Sequence, residues 1–416
     1  MSAELKQIEV NGVKVDVIYE YSNYIPSTYM RFVFRDSGFL NESKVGLAEF
    51  AANILDEGTK KEGSFEFAKK LDAKAISLYA SAGYETFNIE IEALKEYFGY
   101  AIDRFEELLA DPNFSKEAYE KVLKQSLARI EKYKNNFDYV ASHKLKSVVF
   151  DGTHLAYPKI GNEESLKTIT LKDIERFIAN ALSSNNAIIV VGGDIGFDEA
   201  SQYIKRILAP LPKVTQSKMQ PITMKANKEI KEFYEESQQS YIYFASPFNI
   251  KYSSAEQYKA KVAAHILGAS GFGSRMMEEI RVKRGLAYSV GGYFVNYRFI
   301  NYFTGMLQTK IESQKEAIDV VKAMLETFVS KGVTQKELTS AKQYILGSEP
   351  LKNEALSQRL HKAFSNYYYE RGLDYSKKEL EFIEKLTLDE LNSFIMAHPE
   401  IKDLTFAVVT AKKETK

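Results

Sequence analysis

Three side chains on one short segment decide whether this sequence can activate a water molecule. Residues 46–61 read GLAEFAANILDEGTKK, and their apolar spacing predicts a helix. Glu49 and Asn53 are four residues apart and share one face of that helix, with Ala52 beside them. A metal-bound water needs two imidazoles on such a stripe and a carboxylate that takes its proton, as in H-x-x-E-H. The segment holds neither imidazole, so it predicts no metal site, and Glu49 and Asn53 are expected on the solvated face of an ordinary helix.

The histidines elsewhere in the sequence do not supply a metal site either. They stand at positions 143, 154, 265, 361 and 398, without an i, i+4 pair or an H-x-x-E-H arrangement. The run GASGFG at 268–273 lacks the following GK[ST] of a phosphate-binding loop, so it predicts a flexible turn. We therefore expect no metal ion and no other cofactor in this chain.

A second candidate site lies in LGASGFGSRMMEEIRVKRGLAYSVGGYF, residues 267–294. Arg281 and Tyr288 are seven residues apart, and a guanidinium and a phenol can both donate hydrogen bonds to a peptide carbonyl or to a developing oxyanion. The alternative is that Arg281 is a surface arginine on a charge-rich helix and Tyr288 an ordinary strand aromatic. Both interpretations stay open from the residues alone.

Composition excludes several classes of protein. The 416 residues contain 56 basic and 56 acidic side chains, and a neutral chain lacks the positive excess that general nucleic-acid and anionic-membrane binders need. There is no cysteine, which excludes disulfides, thiolate metal sites and a cysteine nucleophile. No segment has the apolar length of a membrane span. The start, MSAELKQIEV, has no signal-peptide pattern, so a cytoplasmic location is the default, and a periplasmic one would follow if a signal peptide had been removed.

The sequence repeats itself at long range. FAANIL (50–55), AIDRFEELL (101–109), TLKDIERFI (170–178) and AIIVVGG (187–193) recur in the same order as VAAHIL, AIDVVKAML, TLDELNSFI and TFAVVTA, at offsets of 212, 216, 217 and 218 residues. Four collinear matches predict two homologous domains, 1–211 and 229–416. Pro210, Pro212 and Pro221 mark the segment between them, and 212–228 is predicted to be an extended linker.

Within each half, strand and helix patterns alternate. IEVNGVKVDVIY predicts a hairpin around Asn11-Gly12, and 29–35 predicts a strand with Met30, Phe32 and Phe34 on one face. A further strand is expected around 75–91, helices over about 93–109 and 115–134, and a helix from 171 that begins with a capping box. The expected fold is α+β, with two homologous domains that each carry a mostly antiparallel sheet backed by helices.

These motifs together resemble the pitrilysin/insulinase family of zinc metallopeptidases, which includes the mitochondrial processing peptidases. In that resemblance the first zinc-binding histidine falls on Glu49, the glutamate base on Ala52, the second histidine on Asn53, and the third ligand near Gln125. Each half would correspond to one half of the family's clamshell. Arg281 and Tyr288 fall on the pair that reaches toward the substrate in the family, and GLAYSV is intact beside them.

The resemblance implies a noncatalytic, substrate-binding subunit that works beside a zinc-bearing paralogue in a heterodimer. Zinc is then expected in the partner and not in this chain. Extended or unfolded peptides are the implied ligands. Residues 81–91 are the implied edge strand of the sheet to which such peptides would add. Acidic side chains on the wall of a peptide-binding chamber would suit basic peptides. The alternatives are a structural scaffold, a metal-independent peptide binder and an active enzyme with unusual ligands.

Overall fold

The computed structural model describes residues 3–215, 217 and 219–412, and the chain divides into two compact units. The first unit takes the chain up to Glu131, together with Tyr157–Met219 and Lys352–Tyr368. The second takes Lys132–Ala156, Gln220–Leu351 and the chain from Tyr369 onward. Each unit therefore contains a segment from the opposite half of the sequence. No helix in the described ranges has both the length and the apolar character that a membrane span requires.

The strands and helices are numbered along the chain. The strands are β1 (Glu4–Val10), β2 (Val13–Tyr21), β3 (Ser27–Arg35), β4 (Ser77–Ala82), β5 (Thr86–Leu94), β6 (Ala187–Gly193), β7 (Ile230–Tyr234), β8 (Ser240–Pro247), β9 (Val290–Asn296), β10 (Asn301–Thr309) and β11 (Thr405–Thr410). The helices are α1 (Leu47–Leu55), α2 (Gly63–Asp72), α3 (Lys95–Ala110), α4 (Lys116–Lys134), α5 (Phe137–Val149), α6 (Glu163–Thr168), α7 (Leu171–Ala181), α8 (Phe197–Leu208), α9 (Gln257–Ala264), α10 (Gln314–Lys331), α11 (Gln335–Gly347), α12 (Leu356–Tyr368), α13 (Tyr375–Lys385) and α14 (Leu388–Met396).

The sheet of the first unit has the strand order β1-β2-β6-β3-β5-β4. Strand β6 is parallel to β2 and antiparallel to β3, and the other pairs are antiparallel. All seven residues of β6, AIIVVGG, are buried, as expected for an uninterrupted apolar run in the middle of a sheet. Helices α1, α3, α7 and α8 pack their apolar faces on this sheet and enclose the core.

The sheet of the second unit has the order β7-β11-β8-β10-β9. Its one parallel pair is β7 with β11, and its other pairs are antiparallel. The same order and the same directions occur in β2-β6-β3-β5-β4 of the first unit. The expected α+β fold with mostly antiparallel sheets is confirmed.

The local predictions have mixed outcomes. The first hairpin is confirmed, with Asn11 and Gly12 at φ of 50° and 80°, and α7 begins with the predicted capping box of Thr170 and Asp173. The single strand expected around 75–91 is wrong, because Gly83 bonds Thr86 in a turn that separates β4 from β5. Strand β5 pairs on both sides, so the edge strand is β4 and not 81–91. Within the described part of 212–228 there is no helix or strand.

Two helices are exchanged between the halves of the sequence. Helix α5 comes from the N-terminal half and packs on β8 and β11 of the second unit, whereas α12 comes from the C-terminal half and packs on β2 and β6 of the first. On α5, Asp138 accepts hydrogen bonds from Tyr243 and Gln308 of the second sheet. Neither unit is complete without its exchanged helix.

Helix α12 is held to the first sheet by close packing and by one buried ion pair. A Cβ added to Gly192 on β6 would lie 2.8 Å from Leu360 Cδ1, so this glycine allows the helix to approach the strand. Arg359 Nε donates to Glu20 Oε1 at 2.7 Å, and Glu20 is 2% exposed. Removing the arginine would leave a buried carboxylate without its counter-charge.

We expect Arg359→Met to destabilise the docking of α12 by on the order of 3 kcal/mol, because Glu20 loses the guanidinium with which it is paired. Hydrogen exchange of the α12 amides should then become faster than in the unchanged chain. Adding Glu20→Gln should restore most of the protection, since the buried charge is removed. Arg176→Met is the matched control: Arg176 is paired with Asp173 on the surface, and α12 should be unaffected. Equal exchange in all four proteins would contradict the role of the pair.

Candidate functional site

Helix α1 carries the first candidate site, and its start is fixed by a buried carboxylate. Glu42 is 3% exposed and accepts hydrogen bonds from the backbone N–H groups of Gly46 at 2.7 Å and Ala48 at 2.8 Å. Gly46 has φ +92°, and a Cβ there would lie 2.9 Å from the Cα of Gly161. Only glycine fits both conditions. The helix N-terminus, and with it Glu49 in the first turn, is therefore held in one place.

Glu49 is part of an ion pair. Its Oε1 atom lies 3.4 Å from Arg129 Nη1 on α4, and the two side chains are 24% and 38% exposed. Ala52 is 3% exposed and presents a methyl group, and Asn53 is half-buried. The expectation that Glu49 and Asn53 lie on a solvated face is thus correct only in part, because both side chains are partly covered.

Helix α4 has a buried side that sequence spacing alone did not single out. Its buried residues are Ala118, Val122 and Ser126, and Arg129 follows on the same side, as helical periodicity requires. Gln125 lies next to this line and is exposed. Its equivalence to the family's third zinc ligand stays a prediction, and the α4 residue that reaches Glu49 in the structure is Arg129.

The residues at this site do not fit a zinc ion. Zinc sites in proteins use imidazole, thiolate or carboxylate donors, usually at least three of them. Here one carboxylate is paired with a guanidinium, one position is an alanine, and one is a neutral amide. Within the described ranges, no group of three or more His, Cys, Asp or Glu side chains is arranged to hold a metal ion.

The second candidate site is a stack of three side chains in the second unit. Arg281 lies in a π-helical turn, Met277–Val282, a conformation that is rare and frequent at functional positions. Its guanidinium carbon is 4.9 Å from the ring centre of Tyr288 and 4.9 Å from that of Phe272. The two rings are 79% and 72% exposed. The structure thus brings Arg281 and Tyr288 together, and it adds Phe272 from the GASGFG segment.

Three basic residues near Arg281 are paired with glutamates. Lys283 and Arg284 both contact Glu279, and Arg275 contacts Glu337. In the described part of the chain, Arg281 has no carboxylate partner and is held by the two aromatic faces. Cation–π contacts position a guanidinium without using its N–H donors, which stay directed at solvent or ligand. This favours the functional interpretation over an ordinary surface arginine.

Sequence reasoning missed three residues of these sites. Glu42 was missed because it lies in the loop before α1, and Phe272 because its segment was interpreted only as a turn. The position of the Arg129 side chain depends on how α4 is rotated about its axis. A signal for Arg129 exists in the spacing of Ala118, Val122 and Ser126, since the small and apolar residues of α4 define its buried side.

The pKa of Glu42 generates a prediction about pH. Burial raises this pKa to about 8, and the N–H groups of Ala48 and Gly46 oppose the rise only in part. The folded state therefore binds an extra proton between the ordinary glutamate pKa and about pH 8, so stability falls as pH rises through that window. We expect Glu42→Gln to remove this fall. The difference in melting temperature between the variant and the unchanged chain should change steadily between pH 5 and pH 8, by the equivalent of several kcal/mol.

Glu120→Gln is the control for that measurement, because Glu120 is an exposed residue of α4. Its difference in melting temperature from the unchanged chain should stay constant with pH. A constant difference for Glu42→Gln as well would show that this carboxyl titrates alike in the folded and unfolded chain.

Two family models match the chain. Residues 17–163 match the model described as insulinase (peptidase family M16), and residues 168–345 match the one described as peptidase M16 inactive domain. A Helicobacter pylori protein named "Non-peptidase homolog YmxG" is 39% identical over 100% of this chain and 96% of its own length. A Bacillus subtilis protein named "Uncharacterized zinc protease YmxG" is 21% identical over 83% of this chain and 81% of its own.

A solved structure shows the same fold. The crystal structure of a peptidase M16 inactive domain from Pseudomonas fluorescens superposes with a TM-score of 0.89 and 22% identity, covering 99% of each chain. At that identity the likeness concerns the fold alone. The family models cover both halves, and the H. pylori relative matches along the whole length. The chain belongs to peptidase family M16, the insulinase family.

Proposed function

We propose that this chain is a noncatalytic, substrate-binding subunit of a heteromeric zinc metalloendopeptidase. One contrast carries the proposal. At α1 the groups that activate water are replaced, with Glu49 paired to Arg129 and a methyl group at Ala52. In the second unit, Arg281 is held between Phe272 and Tyr288 with its donors unused by any carboxylate of the described residues. The name of the H. pylori relative and the description of the C-terminal family model support the noncatalytic part of the proposal.

This chemistry assigns different roles to the two subunits of the proposed complex. The partner is a paralogous chain that carries the zinc ion, and this chain carries no metal ion or other cofactor. Arg281 and Tyr288 donate hydrogen bonds to main-chain carbonyls of an extended peptide, which need no particular side-chain sequence. Phe272 keeps the guanidinium oriented when no peptide is bound. Duplication of one ancestral domain would explain why the two sheets have the same strand order.

The decisive experiment measures zinc content and peptide cleavage with and without a zinc-bearing family member from the same source. The chain alone should contain far less than one equivalent of zinc and should not cleave an unstructured peptide. The mixture should form a heteromeric complex with peptidase activity. Arg281→Ala in this chain should lower kcat/KM of the mixture by about tenfold or more, because a charge-assisted donor is lost.

Arg284→Ala is the matched control, because Arg284 lies three residues away and is paired with Glu279. Activity of the mixture with this variant should equal that of the unchanged chain. Stoichiometric zinc together with cleavage by the chain alone would overturn the proposal. Full activity with Arg281→Ala would remove the substrate-binding role and leave a structural one.

A scaffold is the second candidate function, and one observation favours it. The outer edge of β4, where a peptide would add, is partly closed by side chains. The N–H of Ala80 donates to Asp56 Oδ1 at 3.0 Å, and the carbonyl of Ala82 accepts from Lys159 Nζ at 3.1 Å. A peptide that pairs with β4 has to displace these two groups.

Asp56→Ala tests whether peptides add to β4. If peptides add to β4, the variant frees the N–H of Ala80, and the affinity for an unstructured peptide should rise severalfold, since one competing hydrogen bond is removed. Fluorescence anisotropy with a labelled peptide measures this change. Lys121→Ala is a suitable control, because Lys121 is paired with the neighbouring Glu57 and does not contact the strand edge. An unchanged affinity in Asp56→Ala would argue against peptide addition at β4.

A further inference from the structure

Strand β3 carries two arginines on the face of the first sheet that is opposite the helical layer. Met30, Phe32 and Phe34 are completely buried in the core, so the alternate residues Arg31 and Arg35 lie on the other face. Helix α12 lies on this second face over β2 and β6, and the face over β3, β5 and β4 continues beside it. The two arginines are therefore at the margin of α12.

Two of the three nitrogen atoms of the Arg31 guanidinium are shielded from solvent and lack an acceptor among the described residues. Its carbon is 4.3 Å from the ring centre of Phe364 on α12. Its Nε and Nη2 atoms are buried and make no hydrogen bond with any residue that the structure describes, and the same is true of Arg35 Nε. A buried N–H of a charged group without an acceptor is costly, so such donors in native proteins normally serve a ligand or a bound water.

The carboxylates on this face are occupied by tyrosines instead of arginines. Glu90 is directly opposite Arg31 in the β3–β5 ladder, yet its Oε2 atom accepts from Tyr29 at 2.7 Å and from Tyr79 at 2.9 Å. Asp16 accepts from Tyr367 of α12 and from Gln7. In the described ranges neither Arg31 nor Arg35 has a salt bridge. The acidic groups therefore leave the two guanidinium charges largely unused.

We propose that Arg31 and Arg35 form a carboxylate-binding site that gives this subunit a preference for acidic peptides. The proposal rests on the peptide-binding function proposed above and names the class of peptide. An acidic side chain and a C-terminal carboxylate have the same chemistry, and a guanidinium binds either through two parallel N–H···O bonds. This is the opposite of the preference for basic peptides expected from an acidic wall.

The spacing of the two arginines predicts where the acidic residues of the preferred peptide lie. Positions 31 and 35 are four residues apart on one strand, so their Cα atoms are about 13 Å apart. Two carboxylates at positions i and i+4 of an extended peptide have the same spacing as the two strand positions, so each can meet one of the arginines. The strongest ligand should therefore carry two acidic residues with three residues between them.

The test uses the full chain and four labelled, unstructured peptides of one length. One has Glu at i and i+4, one has Gln at both places, and each is made with a free C-terminus and with a C-terminal amide. We expect the Glu peptide to bind about tenfold more tightly than the Gln peptide in low salt, and the difference to shrink as ionic strength rises. Arg31→Gln should abolish the difference, and Arg35→Gln should reduce it.

Two controls separate binding from folding. Arg176→Gln changes an exposed arginine of the same unit that is paired with Asp173, and it should leave every affinity unchanged. Arg31→Lys keeps the positive charge and loses the planar donor pair, so it should keep part of the preference. The Glu peptide should also raise the melting temperature of the unchanged chain and not that of Arg31→Gln.

The outcomes distinguish the two proposals. Equal affinity for all four peptides would overturn the carboxylate site and leave peptide binding intact. No binding of any peptide would overturn the proposed function itself. A preference for Glu regardless of the terminus supports side-chain recognition. A preference for the free C-terminus that disappears in Arg31→Gln supports the same site with the terminal carboxylate as its ligand.

Discussion

The ion pair between Glu49 and Arg129 sets the chemistry of the first unit. It joins α1 to α4, and the methyl group of Ala52 lies buried on the same helix. Glu42 and Gly46 fix the start of α1, and with it the backbone position of Glu49. Helix α1 thus presents one residue that is paired with α4 and one that is buried in the core.

Features encoded by local sequence could be predicted, and features that depend on packing could not. The buried run of β6, the hairpin at Asn11-Gly12 and the start of α7 follow from patterns within a few residues. The rotation of α4 follows from how Ala118 and Val122 meet the core, and no local pattern shows that Arg129 then reaches α1. For the same reason the spacing in α5 and α12 does not indicate which sheet they cover.

Arginines next to aromatic rings occur in both units, with opposite exposure. Arg281 lies between two exposed rings, where the rings hold the guanidinium and solvent satisfies its donors. Arg31 lies against Phe364, where burial removes solvent from two of its nitrogen atoms. The exposed arrangement of Arg281 suits weak, sequence-independent hydrogen bonds with the main chain of a bound peptide. The second suits a stronger and more selective contact, because the competition from water is smaller.

The exchanged helices have a consequence for how the protein forms during synthesis. The first unit needs α12, and this helix ends only at Tyr368. A ribosome therefore has to complete most of the polypeptide before the first sheet can be covered on its second face, and until then β2 and β6 stay open to other molecules. Folding of the first unit is therefore completed only after most of the second unit has been synthesised. A truncated product would expose apolar sheet surface of the kind that chaperones and proteases recognise.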